Sequence, residues 1–196
     1  MKLADALLCL VLDAEAAAGE GCGALCGEAI AGGVDIIQAP AGERLGVKEI
    51  GPLAAICRRE DALFLVADDT RLAEQVKADG VLLTGPQMEV GLARAAMRSG
   101  SLVGLVSRTP DEAALALHVG ADLILHYGGA ESRACFEALK GRTTAPLFAA
   151  GLQSVEEARA VVATGIYRLC LDVRTLQTGA VRELISSISR LLGRIL

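Results

Sequence analysis

Tryptophan is absent from this chain, and aromatic residues of all kinds make up only 3% of its 196 residues. So few aromatic rings leave little on which nucleic-acid bases could stack. Positive charge is scarce as well: 19 Lys and Arg face 24 Asp and Glu, a formal net charge of −5, with no long run of either sign. Nothing in that balance attracts a phosphodiester backbone, so no nucleic-acid partner is expected. Long apolar runs are missing too. Leu7–Leu12 is apolar, but it is far shorter than the roughly 20 residues that cross a bilayer, and Asp13 closes it. No basic segment leads into a long apolar stretch with a small-residue cleavage site. The expectation is a cytoplasmic protein with no membrane partner.

The six cysteines (Cys9, Cys22, Cys26, Cys57, Cys135 and Cys170) are dispersed, unlike the dense framework of a small disulfide-stapled domain, and reduced thiols are expected. Cys22 and Cys26 are four apart and would share a helical face. With no second pair and no nearby histidine, they do not make a tetrahedral zinc set.

What the chain has in quantity is apolar residues, at 53% with a mean hydropathy of +0.46. That is enough for one well-buried core, and the length is short for two, so a single domain over 1–196 is expected. Short runs rich in Val, Ile and Leu begin near Leu7, Asp35, Leu63, Gly80, Leu102, Asp122, Pro146 and Tyr167. Their apolar residues occupy both faces, as in parallel strands covered by helices. Between them lie stretches with helical spacing: 24–31, 47–59, 70–78, 90–98, 110–119, 131–139, 154–163 and 179–192. Thr109 ahead of Pro110, Asp111 and Glu112 is a helix start, and Ser154 with Glu157 is a capping box. Gly32-Gly33, Gly120 and Gly165 fall where helices should end. Eight β/α units in one series argue for an α/β fold closed as a single-domain (β/α)8 TIM barrel, although an open doubly wound sheet is built from the same units.

In such a barrel the working groups stand at the C-terminal ends of the strands. The residues there include Gln38, Asp68 with Asp69, Ser107 with Arg108, His126 with Tyr127, Gly151, and Asp172 with Arg174. Asp68 is the candidate ligand for Mg2+, which takes one or two carboxylates together with water and substrate phosphate. Asp69 is better read as the cap of the helix that follows. His126 is a candidate acid/base, with a packed, hydrogen-bonded histidine as the equal alternative. His118 lies within a helix and reads as structural. Arg108 and Arg174 could each grip an anion by forked hydrogen bonds, although surface salt-bridging is the commoner use of an arginine. The segment Ala149-Ala150-Gly151-Leu152 lies where barrels often hold phosphate on backbone N–H groups.

Several segments are specific enough to name a family. AIAGGVDIIQ (29–38), LFLVADDTRLAEQVKADGVLL (63–83) and GLVSRTPDEAALALHVGADLILHYG (104–128) follow the order of the strand-end motifs in thiamine phosphate synthase and its relative, the thiazole tautomerase, and the chain resembles that family over almost its whole length. The resemblance implies a barrel that joins an aminopyrimidine diphosphate to a thiazole phosphate, with Mg2+ on the departing diphosphate. It also implies substrate contacts at Gln38, Thr109 and Gly151, to which the strand-end reading adds Arg174, and it makes a phosphorylated small molecule the expected partner, with homo-oligomerisation allowed. The departures are equally specific. The family's Arg and Lys after the glutamine correspond to Pro40 and Gly42, its Asn before Asp68 is Ala67, and its histidine on the fourth strand is Leu82. Its second magnesium aspartate falls near Gln87, and the Ser and His of its fifth-strand motif fall on Val106 and Arg108. After Tyr127 only GGAESR precedes the next helix, where the family has a Thr- and Lys-bearing cover. Its phosphate-gripping turns become Ala150-Gly151-Leu152 and Leu171–Arg174. Losing one well-placed donor to developing charge can cost about 10^2 to 10^3 in rate, so these losses argue against the usual coupling. Two alternatives stand beside a transferase rebuilt on Asp68, Arg108 and Arg174: a barrel that binds a small ligand without turnover, and a tautomerase-like acid/base enzyme using His126.

Overall fold

A computed structural model describes residues 1–42, 45–85, 90–128, 132–139, 141, 143–152, 154–175 and 181–193. Eight parallel strands close on themselves in chain order: β1 (Leu8–Val11), β2 (Ile36–Ala39), β3 (Leu63–Ala67), β4 (Gly80–Leu83), β5 (Leu102–Ser107), β6 (Leu123–His126), β7 (Leu147–Leu152) and β8 (Leu169–Asp172). Pairing of Leu8–Val11 with Leu169–Asp172 completes the ring, so the closed barrel is the architecture and the open sheet is not. Around it run α1 (Ala14–Ala18), α2 (Cys22–Ala31), α3 (Val47–Arg59), α4 (Thr70–Val76), α5 (Val90–Ala96), α6 (Pro110–His118), α7 (Ser132–Leu139), α8 (Val155–Ala163) and α9 (Val181–Leu191).

The strand and helix positions follow the sequence pattern, with shifts at the ends. The strand expected from Tyr167 starts at Leu169, because Tyr167 is 55% exposed and Arg168 turns its guanidinium to the carbonyls of Ala4 and Ala6. The short α1 was not foreseen. Asp13 creates it by accepting the Ala16 N–H at 2.8 Å, an N-cap one turn long. Glu131, Gly179 and Ala180, expected to open the seventh and last helices, lie outside the described residues.

Period-two alternation divides the strand residues between two cores. Cys9, Ile36, Leu65, Leu82, Leu123, Leu125, Phe148 and Cys170 fill the barrel interior. Leu10, Ile37, Phe64, Val66, Val81, Leu83, Leu169 and Leu171 face the helices. The six cysteines are all free and buried, as composition suggested. Burial pushes the Cys57 thiol up to about 12 and raises those of Cys135 and Cys170, which keeps these three protonated and unreactive.

Candidate active site

The same alternation decides which strand-end residues reach the barrel mouth. Ile36 lies in the interior, and so Gln38, two residues on, also faces inward; it is 4% exposed and donates from Nε2 to the Ala39 carbonyl at 2.7 Å. Arg108 extends the inward row of β5 beyond Val106. Asp172 extends that of β8 beyond Cys170 and pairs with Arg174, whose Nε donates to Oδ1 at 2.9 Å. That hydrogen bond holds the Asp172 carboxyl below its usual range and raises the Arg174 guanidinium. The charge of Arg174 is thus shared with a neighbour two residues away.

His126 is not at the mouth. On β6 the interior residues are Leu123 and Leu125, while Ile124 packs with Ala113, Ala116 and Cys135 of the helix layer. Parity therefore sends His126 outward, where it is 2% exposed and shares a 3.0 Å hydrogen bond between its Nδ1 and Ser107 Oγ. Burial lowers its pKa, opposed by the nearby charge of Glu112. This placement has the features of the packed, hydrogen-bonded histidine set beside the acid/base reading. Gly128 completes the cluster. A Cβ there would lie 2.7 Å from His126 Nε2 and 3.0 Å from the buried Ser132 Oγ.

Tyr127 takes the inward position instead. Its ring packs on the interior cluster, and burial raises its phenol, with Cys170, Cys9 and Asp172 adding to the shift and Arg108 opposing it. Gly151 lies against this ring: a Cβ there would be 3.0 Å from Tyr127 Cδ1. Gly151 also has φ +80° and sits at a register shift, where Ala149 pairs with Leu169 but Leu152 pairs with Leu171. That extra residue is a bulge, and it turns Leu152 to the outer core after Ala150 has faced the interior. Gly151 and Tyr127, both expected at strand ends, meet here, but sequence reasoning gave the candidate role to His126 and none to Tyr127. The signal for Tyr127 was present, as the one long aromatic side chain at a strand end.

Thr109 is used as a cap, its hydroxyl accepting the Glu112 N–H at 3.2 Å, and the Glu112 carboxylate accepts the Arg108 N–H at 2.6 Å. The substrate contact implied for Thr109 thus competes with a helix start. Asp69 caps α4 through Leu72 N–H at 2.8 Å, as expected. Asp68 sits at φ +51°, a sparsely populated conformation for a residue with a side chain. Both of its carboxylate oxygens are engaged by Thr84: Oδ1 accepts the backbone N–H at 2.7 Å and Oδ2 accepts the hydroxyl. Each oxygen keeps a lone pair beyond these hydrogen bonds, so Asp68 would be the one carboxylate to hold the implied Mg2+, with water and substrate phosphate supplying the other oxygens; among the described residues no group of three or more His, Cys, Asp or Glu side chains is placed to hold a metal ion. Gln87, at the family's second metal position, lies outside the described residues.

A closed eight-stranded barrel with its polar side chains gathered at the C-terminal mouth is the architecture of a TIM-barrel small-molecule protein. Residues 8–172 match the model of the thiamine monophosphate synthase family, and the chain belongs to that family as a thiamine phosphate synthase-like protein. It is 38% identical over 98 residues to the thiamine-phosphate synthase of Clostridium perfringens, covering 48% of this chain and 47% of that one. It is 32% identical over 128 residues to that of Fusobacterium nucleatum, covering 63% and 62%. The matched part thus spans about half the length of these curated relatives. The thiamine phosphate pyrophosphorylase of Pyrococcus furiosus superposes over 98% of both chains with a TM-score of 0.82 at 23% identity, a likeness of fold. Among the described residues no helix is long and apolar enough to cross a membrane.

Proposed function

We propose that this chain holds a phosphate-bearing small molecule at the barrel mouth and does not carry out the metal-assisted coupling of its family. The observation that carries this reading is the loss of polar and positively charged groups at the strand ends, where Ala67 and Leu82 replace the family's Asn and His. A departing diphosphate needs fixed positive charge where its own charge develops, and Pro40 and Gly42 stand where the family has cations. Arg108 remains as a forked donor, and no ion pair to its guanidinium is found among the described residues. Arg174 offers a second guanidinium, already partnered by Asp172, and the Gly151 turn adds backbone donors without charge. Gln38 would orient the ligand from the inner wall at the end of β2.

Calorimetric titration with thiazole phosphate, in EDTA and again in Mg2+, tests the reading. Equal affinity in both buffers, weakened about tenfold by Arg108→Gln, is the expected result. Binding that appears only with Mg2+, or that ignores Arg108→Gln, would overturn it.

A further inference from the structure

The inward row of β6 ends in an aromatic ring. Leu123 and Leu125 face the barrel interior, and Tyr127, two residues on, continues that row and packs on the interior cluster. The next three strands each contribute a small inward residue to the same cluster: Ala150 on β7, Cys170 on β8 and Cys9 on β1. Cys9 and Cys170 are direct partners across the seam that closes the barrel. Protein interiors are close-packed, so room left by three small residues has to be filled from elsewhere. The Tyr127 ring fills it. From its root on β6 the ring passes over β7 at Gly151, where a Cβ would lie 3.0 Å from Cδ1 and 3.5 Å from Cε1. Beyond β7 its phenol comes close enough to Cys170 and Cys9 for both to act on it electrostatically. One side chain thus reaches from β6 towards β1, and the absent side chain of Gly151 clears its path. The Arg108 guanidinium acts on the same phenol, so a phosphate held there stands within reach of the space that the ring occupies.

We propose that Tyr127 is the specificity-determining residue of this site: its ring floors the mouth, so the ligand is a compact phosphomonoester held above the ring, with no part that descends into the apolar interior. Steric exclusion, not charge, makes the selection. A ligand carrying an apolar ring gains nothing from Leu125, Phe148, Ala150 and Cys170, because Tyr127 already covers them. The inference rests on the reading that the mouth takes a phosphate-bearing molecule, and the test separates the two.

Methyl phosphate and phenyl phosphate are titrated into the chain and into Tyr127→Phe, Tyr127→Ala, Tyr127→Val and Arg108→Gln, with circular dichroism checking that each variant is folded. The chain and Tyr127→Phe should bind the two phosphates within about threefold of each other, since no apolar area is buried to separate them. Tyr127→Ala should bind phenyl phosphate at least about tenfold tighter than methyl phosphate, because a ring entering the vacated apolar space leaves water. Tyr127→Val should show the same preference to a smaller extent, and it carries the test if Tyr127→Ala does not fold. p-Cresol, which has the outline of the missing side chain, should abolish the gain for phenyl phosphate in Tyr127→Ala and leave methyl phosphate binding unchanged. If neither small variant gains for phenyl phosphate, or if the intact chain already prefers it equally, the assignment to Tyr127 fails while the mouth reading survives. A gain that p-cresol leaves intact also overturns it, because the new ring then lies elsewhere. If methyl phosphate binding ignores Arg108→Gln, the mouth reading fails and takes this inference with it.

Discussion

Two neighbouring residues on β6 have opposite fates because a strand alternates its faces. Tyr127 closes the barrel mouth while His126 is sealed behind the wall beside Ser107. The buried imidazole has a consequence for stability. Its folded pKa lies below the ordinary 6.5, so between the two values the unfolded chain binds more protons than the folded one. The contribution is fully present above pH 6.5 and is lost as pH falls through that value towards the folded pKa. His126→Gln should therefore flatten the decline in melting temperature below pH 6.5, and thermal scans at stepped pH check this; an unchanged slope would contradict it. Gly151 makes a second residue-scale test. With φ +80° and the Tyr127 ring where a Cβ would lie, Gly151→Ala should cost about 1–3 kcal/mol by denaturant titration. The polar character of the strand ends was legible in the sequence, but which of His126 and Tyr127 faced inward was not. A one-residue choice of register reverses the answer, and no composition or periodicity signal at Leu123–His126 resolves it.

At the scale of elements, the barrel's lower rim is stitched by a repeated device. Asp35, Asp79 and Asp122 each directly precede an even-numbered strand and accept a backbone N–H from the first or second residue of the odd-numbered strand before it: Leu8 at 2.9 Å, Phe64 at 2.8 Å and Val103 at 2.7 Å. Before β8 the position is Arg168, which reverses the polarity by donating to the Ala4 and Ala6 carbonyls at 2.9 and 3.2 Å. Each strand pair is thereby held in register at its start. Removing one half-buried acceptor strands a donor, so Asp79→Ala should cost about 1–2 kcal/mol, while the exposed Asp111→Ala should be near neutral in the same melt. The eight strands were visible because apolar residues on both faces leave no other fate for such short runs. The α1 turn was not, because a five-residue helix carries too little periodicity to separate it from a loop.

For the whole molecule, the fold and the family's chemistry rest on different residues. Closure, register and both cores depend on apolar spacing that substitutions at the mouth leave untouched, so the family's barrel persists over residues 8–172. The family's reaction depends on a handful of charges, and Pro40, Gly42, Ala67 and Leu82 stand where the resemblance calls for charged or polar groups. Those departures could be read from sequence. The commitment of Asp68 to Thr84 could not, because the two residues lie 16 apart on different strands and meet only once the sheet is formed. The most direct test of this account is to incubate the purified chain with aminopyrimidine diphosphate, thiazole phosphate and Mg2+ and follow thiamine phosphate by fluorescence after oxidation. The account predicts no product above the enzyme-free control while thiazole phosphate still binds; steady formation of thiamine phosphate that stops on adding EDTA would contradict it.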